Sequence, residues 1–546
     1  MAKQFVSKLV LWLVPVLVAQ LGLAQINAVS GERMRPHVRF LSSDLLEGRG
    51  VGTRGGDLAA EYIASQFAVA GAKPAGDNGT YFQKLTLVGT DPQPTTQMAI
   101  TPTNGATASL KWLDEFAGVT FAQKPETEFD AEAVFVGHGI VAPEYQWDDY
   151  KGIDVRGKVV VLFTGEPPSD DPKFFTGAAL TYYGRWTYKY EEATRKGAVG
   201  AIIIHTTPTA SYGWNVVRSS WSKEELATKN AVGAPALSFA GWVTTDAGQR
   251  IAATLGKNVD ELLKMADMRG FVAMPMPLKV HLKTQSKTRE IETRNVVARV
   301  EGSDPVLKNE AVIFSAHWDH LGVGEKINGD GIYNGAIDNA TGCAMILELA
   351  HAWALLPQKP KRSALFLAVT AEEAGLLGSE YYGQHPVVPI GKTALALNFD
   401  AFQPYGRYND VGLIGSERLT ILPTVQEAAK RFDLRISPDP RPSAGIYYRS
   451  DHFSFARVGI PSFSVDQGDE LTGKEPGAGK KFYDEYNDKH YHQPSDEYHE
   501  DWNFAGMETY ARFGFLVNYN VANAAKLPTW HAGDEFLPAR VASGVK

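Results

Sequence analysis

The sequence predicts an α/β protein, a three-layer sandwich around a mixed but largely parallel central sheet, interrupted by a second, β-rich module. Three observations carry this. From Asn295 onward, short and wholly apolar runs alternate with helical stretches, the pattern of strands buried on both faces and covered by helices. Between about Asp130 and Ala266 the texture changes to apolar runs divided by Gly, Pro and aromatic turns, which reads as strands with a helix or two. At 546 residues the chain is also too long for one ordinary domain and long enough for a large core.

Taken in order, Lys3 and Lys8 precede an apolar run from Leu9 to Ala24 that ends in small residues, Gly22 and Ala24. That is the layout of a cleaved secretory signal. As a membrane anchor the run is short of the roughly 20 residues a span needs, and it carries Pro15 and Gln20. The expected location is periplasmic or secreted, with no stable membrane insertion after cleavage. Met34 to Phe67 suggests two helices around a Gly-rich loop, Glu47 to Gly56. In the β-rich module the candidate strands are Ala133–Val136, Val159–Phe163, Ala201–His205 and Ala234–Phe239, with a helix over Tyr188–Lys196. Beyond it, strands are predicted at Val296–Val300, Val312–Ala316, Ala364–Thr370, Ala394–Phe399 and Ser462–Val465. Helices are predicted at Ala340–Leu355, Leu419–Phe432 and Gly506–Asn523. The resulting division is 1–24 signal, 25–129 first part of the α/β domain, 130–266 inserted module and 267–546 the main part of the α/β domain.

Composition narrows the chemistry. The 44% hydrophobic and 21% charged content is that of a globular protein. Lys and Arg total 54 against 62 Asp and Glu, so nothing builds the positive surface that nucleic-acid binding needs. Cys343 is the only cysteine, which excludes an intrachain disulfide and any zinc site built on several cysteines. Cys343 lies in an Ala/Leu-rich helical stretch and reads as a packed small residue. A metal here must sit on His and carboxylates.

The strand Val312–Ala316 ends at His317-Trp318-Asp319-His320, at the carboxyl end where α/β sheets build their sites. A histidine there, with an aspartate two residues on, suits a metal ligand backed by a carboxylate; taken alone, a capping or surface histidine fits as well. Asp338, in Tyr333-Asn334-Gly335-Ala336-Ile337-Asp338-Asn339 just before a helix, has the residue type of an N-cap. The strand Ala364–Thr370 runs into Ala371-Glu372-Glu373-Ala374-Gly375, and adjacent carboxylates repel unless a cation or proton intervenes. The strand Ala394–Phe399 ends at Asp400. Three successive strand ends thus describe a cup of hard anionic ligands with imidazole, suited to zinc or a similar divalent ion.

Six motifs in one order, His317-x-Asp319, Gly335-Ala336-Ile337-Asp338-Asn339, Glu372-Glu373, Asn398-Phe399-Asp400, Ser450-Asp451-His452 and His492-Gln493-Pro494-Ser495-Asp496, resemble those of the M28 metallopeptidases. The resemblance covers about Met34 to Phe67 and Asn295 to Asp496. It implies two zinc ions per chain, with Asp338 bridging them, His317 and Asp400 completing one site, and Glu373 and His492 the other. It makes Glu372 the general base and Asp319 the residue that holds the His317 ring. His490 rivals His492, but only His492 has the Pro494 and Asp496 of the pattern after it. Tyr447 resembles a tyrosine that assists the oxyanion in some members, with Tyr448 one residue off. His452 reads as a support of the pocket. Arg449 either receives a substrate carboxylate or forms a structural ion pair. In the module, Gly137-His138-Gly139-Ile140, Val155-Arg156-Gly157-Lys158-Val159-Val160-Val161 and Ala193-Thr194-Arg195-Lys196-Gly197-Ala198 resemble a protease-associated (PA) domain, with a scaffold or lid role.

The function implied is that of an exported aminopeptidase acting on peptide substrates through metal-activated water. Three alternatives stand beside it. A carboxypeptidase of the same family needs an arginine cluster, which the sequence does not single out. A glutaminyl-cyclase-like acyltransferase would use one zinc and predicts an incomplete two-metal set. A binding protein that merely keeps the fold predicts lost ligands.

Overall fold

Strands buried on both faces form the spine of the α/β unit in the computed structural model, which describes residues 26–210, 212–439 and 442–545. The predicted signal segment lies outside the described residues. Five strands matter for the site: β1 (Met274–Val300), β2 (Ala311–His317), β3 (Ser363–Val369), β4 (Thr393–Phe399) and β5 (Ser462–Gln467). β2 lies between β3 and β4 and runs parallel to both, and β5 follows β4, again parallel. The end of β1 pairs antiparallel with β3, Val296 opposite Ala368, and Lys73–Pro74 pairs antiparallel on its far side. At the other edge Asp410–Gly412 runs antiparallel to β5 and carries Arg435–Ser437 beside it. The sheet is mixed with a parallel centre.

Alternation along these strands separates the two faces. Ala311, Ile313, Leu365, Leu367, Val369 and Ala396 meet Tyr382 and Phe455 in one core, from the helices Leu377–Gln384 and His452–Arg457. The intervening residues face the other way: the Phe314 ring is stacked on Phe366 at 5.3 Å and edge-on to Trp353 at 5.4 Å, and Trp353 meets Phe515 at 4.9 Å. Trp353 and Phe515 belong to the helices Thr341–Ala354 and Ala505–Asn523. The first of these is buried on nearly its whole circumference, because the helices Gly31–Leu41 and Arg54–Val69 cover its outer side. Helix, sheet and helix form the three layers.

The N-terminal helices frame the Gly-rich loop. Helix Arg54–Val69 starts at Thr53, whose hydroxyl accepts from Gly56 N at 3.2 Å. A Cβ at Gly55 would stand 1.9 Å from the Leu46 carbonyl oxygen, so only glycine lets this turn fold back on itself.

The chain divides into two compact units: Met1–Leu85, Glu292–Pro440 and Arg449–Lys546 form the first, Thr86–Ile291 and Arg441–Tyr448 the second. The second is wider than the 130–266 expected from sequence texture. The reason is β1, whose stretch Leu278–Lys283 pairs antiparallel with Gln97–Pro102, while Lys279–Gln285 pairs with the strand Glu126–Phe135. Both flanks of the module are thereby drawn into one sheet. Within it, Gly200–Ile204 lies parallel between Val159–Leu162 and Phe239–Val243. The last strand begins at Phe239, not at Ala234 as expected, because Gly233 and Pro235 hold the run before it in a turn. Two cores flank this sheet, one around Phe135, Ile204 and Ile251, the other around Val160, Ile203 and Trp242.

No helix among the described residues is long and apolar enough to cross a membrane. Phe314 is 0% exposed at the centre of the first unit, so Phe314→Ala is expected to cost about 3–5 kcal/mol through lost burial and the cavity left. The check is the urea-unfolding midpoint of the variant against that of the parent.

Candidate metal centre

Register places the site. Ser315 on β2 stands opposite Asn398 on β4 and His317 opposite Val369 on β3, so the first residues past β3 and β4 arrive beside the His317 ring. Three residues there hold left-handed backbone without being glycine: Ala371 (φ 53°) just before Glu372, Ala401 (φ 55°) just after Asp400, and His492 (φ 59°). Such conformations persist where the surroundings over-determine them, and they gather at functional sites. Here each turns a strand end or loop sharply enough to aim a side chain at the same point.

His317, the last residue of β2, donates from Nδ1 to the Asp319 carbonyl oxygen at 3.1 Å. That leaves Nε2 as the free nitrogen, 3.1 Å from Asp338 Oδ1 and 3.1 Å from Asp400 Oδ1. His492 Nε2 lies 3.4 Å from the other oxygen of Asp338, Oδ2, and 3.0 Å from Glu373 Oε2. The structure therefore brings His317, Asp338, Glu373, Asp400 and His492 together, with Asp338 offering one oxygen to each histidine. His490 turns away, its Nδ1 paired with the Ser495 hydroxyl at 2.9 Å.

Each carboxylate is held from behind. Asp400 accepts from the Ser450 hydroxyl at 2.6 Å, Ser450 from Asn398 Nδ2 at 2.7 Å, and the Ser315 hydroxyl donates to Asn398 Oδ1 at 2.8 Å. Asp338 does not cap the following helix: Asn339 Oδ1 accepts from Gly342 N at 2.9 Å, which frees the Asp338 carboxylate. Asp496 accepts from the main-chain N–H of Ile337 at 2.9 Å and of Asp338 at 3.1 Å. Glu373 Oε1 is bonded by His320 Nδ1 at 2.7 Å. Sequence reasoning gave His320 no role; the available signal was its place in the same strand-end loop as His317.

Asp319 acts otherwise than expected. Its carboxylate stands 3.9 Å from His317 Nδ1, too far for a hydrogen bond. It accepts instead from the main-chain N–H of Glu372 at 3.1 Å and of Glu373 at 3.4 Å. It is the Asp319 backbone that holds the ring and the Asp319 side chain that holds the turn bearing both glutamates. Tyr447 is buried in the 441–448 stretch of the second unit, its ring 5.4 Å from that of Tyr448. His452 is buried at the start of its helix, and Arg449 is exposed.

Electrostatics splits the two glutamates. Glu372 is pushed well above the ordinary carboxyl range, by burial first and then by Asp400, Glu373 and Asp451, against the pull of His317. Glu373 is drawn down to about 2, because His320 and His492 outweigh burial and the repulsion of Asp338. Neighbouring carboxyls whose environments drive their pKa values apart are suited to different tasks, one to move a proton and one to stay ionised. Asp319 is raised to about 6 and Asp451 to about 7, both chiefly by burial.

The donor set fits divalent cations. Among the described residues, ligand atoms converge within 4.8 Å in two groups, His317, Asp338 and Glu373, and His317, Glu372 and Asp400. His492 Nε2 faces Asp338 Oδ2 and Glu373 Oε2, an imidazole-carboxylate set of the kind that holds zinc. Glu372 is thus within ligand reach of the same point as His317 and Asp400.

The sequence profile of peptidase family M28 matches residues 295–512, a stretch that contains all of these residues. A probable leucine aminopeptidase 2 of Aspergillus oryzae is 33% identical over 215 residues, 37% of this chain and 39% of that protein. An aminopeptidase of Pseudomonas aeruginosa is 30% identical over 223 residues, 38% of each. The chain thus spans less than half the length of these relatives. In fold it is similar to the solved aminopeptidase from Aneurinibacillus sp. strain AM-1, with a TM-score of 0.51 at 20% identity, covering 92% of this chain and 96% of that one.

The raised pKa of Glu372 has a sign. A carboxyl with a folded-state pKa above its unfolded one loses stability as pH rises from the unfolded value toward the folded one. Metal-free Glu372→Gln is therefore expected to melt above the metal-free parent, by a margin that widens as pH rises above the ordinary carboxyl range. Thermal melting in excess chelator measures it; a margin that shrinks with pH would contradict the electrostatic account.

Proposed function

We propose that this chain, whose residues 295–512 match peptidase family M28, is an exported aminopeptidase carrying two zinc ions. The observation that carries the two-ion reading is the division of Asp338, with Oδ1 toward His317 and Oδ2 toward His492. Asp400 would complete the set of one ion with His317, and Glu373 that of the other with His492. Bound there, the ions would supply Lewis acidity, lowering the pKa of a water toward neutrality and polarising the scissile carbonyl.

The remaining work falls to the chain itself. Glu372, whose environment favours uptake of a proton, accepts it from the attacking water and passes it to the leaving amine. Asp319 fixes the main-chain N–H groups of Glu372 and Glu373, so base and ligand keep a constant separation. Ser450 and Asn398 hold Asp400 in place, and His320 does the same for Glu373. Such outer contacts fix ligand orientation. The cup carboxylates can accept hydrogen bonds from the α-amine of a substrate, which favours a free N-terminus as the recognised end. The relatives' names, leucine aminopeptidase and aminopeptidase, support the same choice. Export rests on the N-terminal layout of Lys3, Lys8 and the run to Ala24. The second unit acts as a scaffold or lid of the protease-associated kind.

Three measurements test this. With zinc-loaded full-length protein, Glu372→Gln is expected to lower kcat by at least about 10²-fold, the scale of general acid–base catalysis, while metal content stays unchanged; loss of metal would instead make Glu372 a ligand. On matched peptides, free N-termini are expected to be cleaved at least about 100-fold faster in kcat/KM than N-acetylated ones, since a lost charged hydrogen bond costs on the order of 2–3 kcal/mol. Chelation should abolish the reaction and Zn²⁺ restore it. Equal rates on blocked and free peptides would point to the carboxypeptidase reading and make Arg449 the residue to test next.

A further inference from the structure

The Gly-rich loop between the N-terminal helices carries a buried cation. Arg49 is 1% exposed, and its guanidinium donates only to main-chain carbonyls. Nε reaches Trp318 O at 2.8 Å; Nη1 reaches Leu41 O and Asn334 O, each at 2.6 Å; Nη2 reaches Gly335 O at 2.8 Å and, at the limit, Asp338 O at 3.5 Å. One side chain thus ties the end of helix Gly31–Leu41 to the loop after β2 and to the loop that carries Asp338. None of these bonds goes to a carboxylate. A charge buried in this way is costly unless every donor is satisfied, and the fork of five N–H groups satisfies them with carbonyls alone.

The backbone is bent to put it there. Arg49 itself has φ 51° and Gly48 has φ 67°. A Cβ on Gly48 would stand 2.5 Å from the carbonyl oxygens of Gly322 and of Tyr333. On the opposite side of the same loop, the Asp496 carboxylate takes the N–H groups of Ile337 and Asp338. The peptide groups leading to Asp338 are therefore gripped by a cation at their carbonyls and by an anion at their amides. The Asp338 carboxylate, with an oxygen toward each histidine, has little freedom left to turn.

We infer that Arg49 is a positioning residue for the metal centre, which fixes the loop bearing Asp338 so that this carboxylate is set to bridge two cations. The inference rests on the two-zinc reading. It makes a prediction opposite in sign to a purely electrostatic role. A positive charge beneath the cup opposes a cation, so by charge alone its removal would tighten zinc binding. If Arg49 positions Asp338, its removal loosens zinc binding.

The test uses the full-length chain, with parent, Arg49→Lys and Arg49→Met loaded with Zn²⁺ and dialysed against a graded series of chelator. Zinc retained per chain is read by atomic absorption, and thermal melting of the same samples reports folding. Lysine keeps the charge without the planar fork; methionine removes both. Both variants, folded at the assay temperature, are expected to release zinc at an effective affinity at least about 10-fold below the parent, the scale of contacts that orient ligands, with Arg49→Met the weaker. A folded variant that holds zinc as tightly as the parent, or more tightly, overturns the inference. If Arg49→Met does not fold, Arg49→Lys decides. A parent that retains no zinc would instead remove the two-zinc reading and this inference with it, an outcome distinct from a parent that binds and variants that match it.

Discussion

Mutual repulsion among carboxylates governs the α/β unit. Glu372, Glu373 and Asp400, past the ends of parallel strands, and Asp338, from the loop before helix Thr341–Ala354, converge around His317, where like charges in a poorly hydrated setting cannot all stay ionised without positive charge between them. Burial and the neighbouring carboxylates push Glu372 up, while His320 and His492 draw Glu373 down. Divalent cations bound there would relieve the conflict.

A rigid frame is needed to hold groups that repel. The parallel centre supplies it: four strands buried on both faces, with Phe314, Phe366 and Trp353 interlocked on one side and Tyr382 and Phe455 on the other. Parallel strands all deliver their carboxyl ends to one edge, so His317, the Glu372-Glu373 pair and Asp400 meet there by topology. Fine aiming is left to the residues just past the strands. Ala371, Ala401 and His492 adopt left-handed backbone that an unconstrained chain would leave, and the packed sheet keeps them in it.

Behind the ligands lies a layer of contacts to main-chain atoms. Asp319 holds the amides of both glutamates, Asp496 those of Ile337 and Asp338, and Asn339 caps the helix that Asp338 leaves uncapped. Arg49 completes the layer from an element far away in the chain. Side chains that grip backbone fix a loop more firmly than contacts between two flexible side chains, since one partner is already rigid. The base role proposed for Glu372 would depend on that firmness, because reacting groups must keep distances within a fraction of an ångström.

Much of this was legible without coordinates. The strands at 311–317, 363–369 and 393–399 and the helices at 341–354 and 505–523 follow the sequence reading within one or two residues, because uninterrupted apolar runs of those lengths have few other ways to be buried. The cup residues stand out for the same reason, as charged groups placed abruptly at the ends of such runs. The module boundary did not, because the alternating stretch of β1 that draws in Gln97–Pro102 shows its partner only once the sheet is formed. Nor did the roles of His320, Ser450, the Asp319 carboxylate and Arg49. Residue type and spacing by themselves determined which groups could bind a metal, since ligand chemistry belongs to the side chain. Only the tertiary structure decided which groups hold those ligands still, because the atoms they grip are carbonyls and amides of distant segments, identical in every residue and invisible in a string of letters.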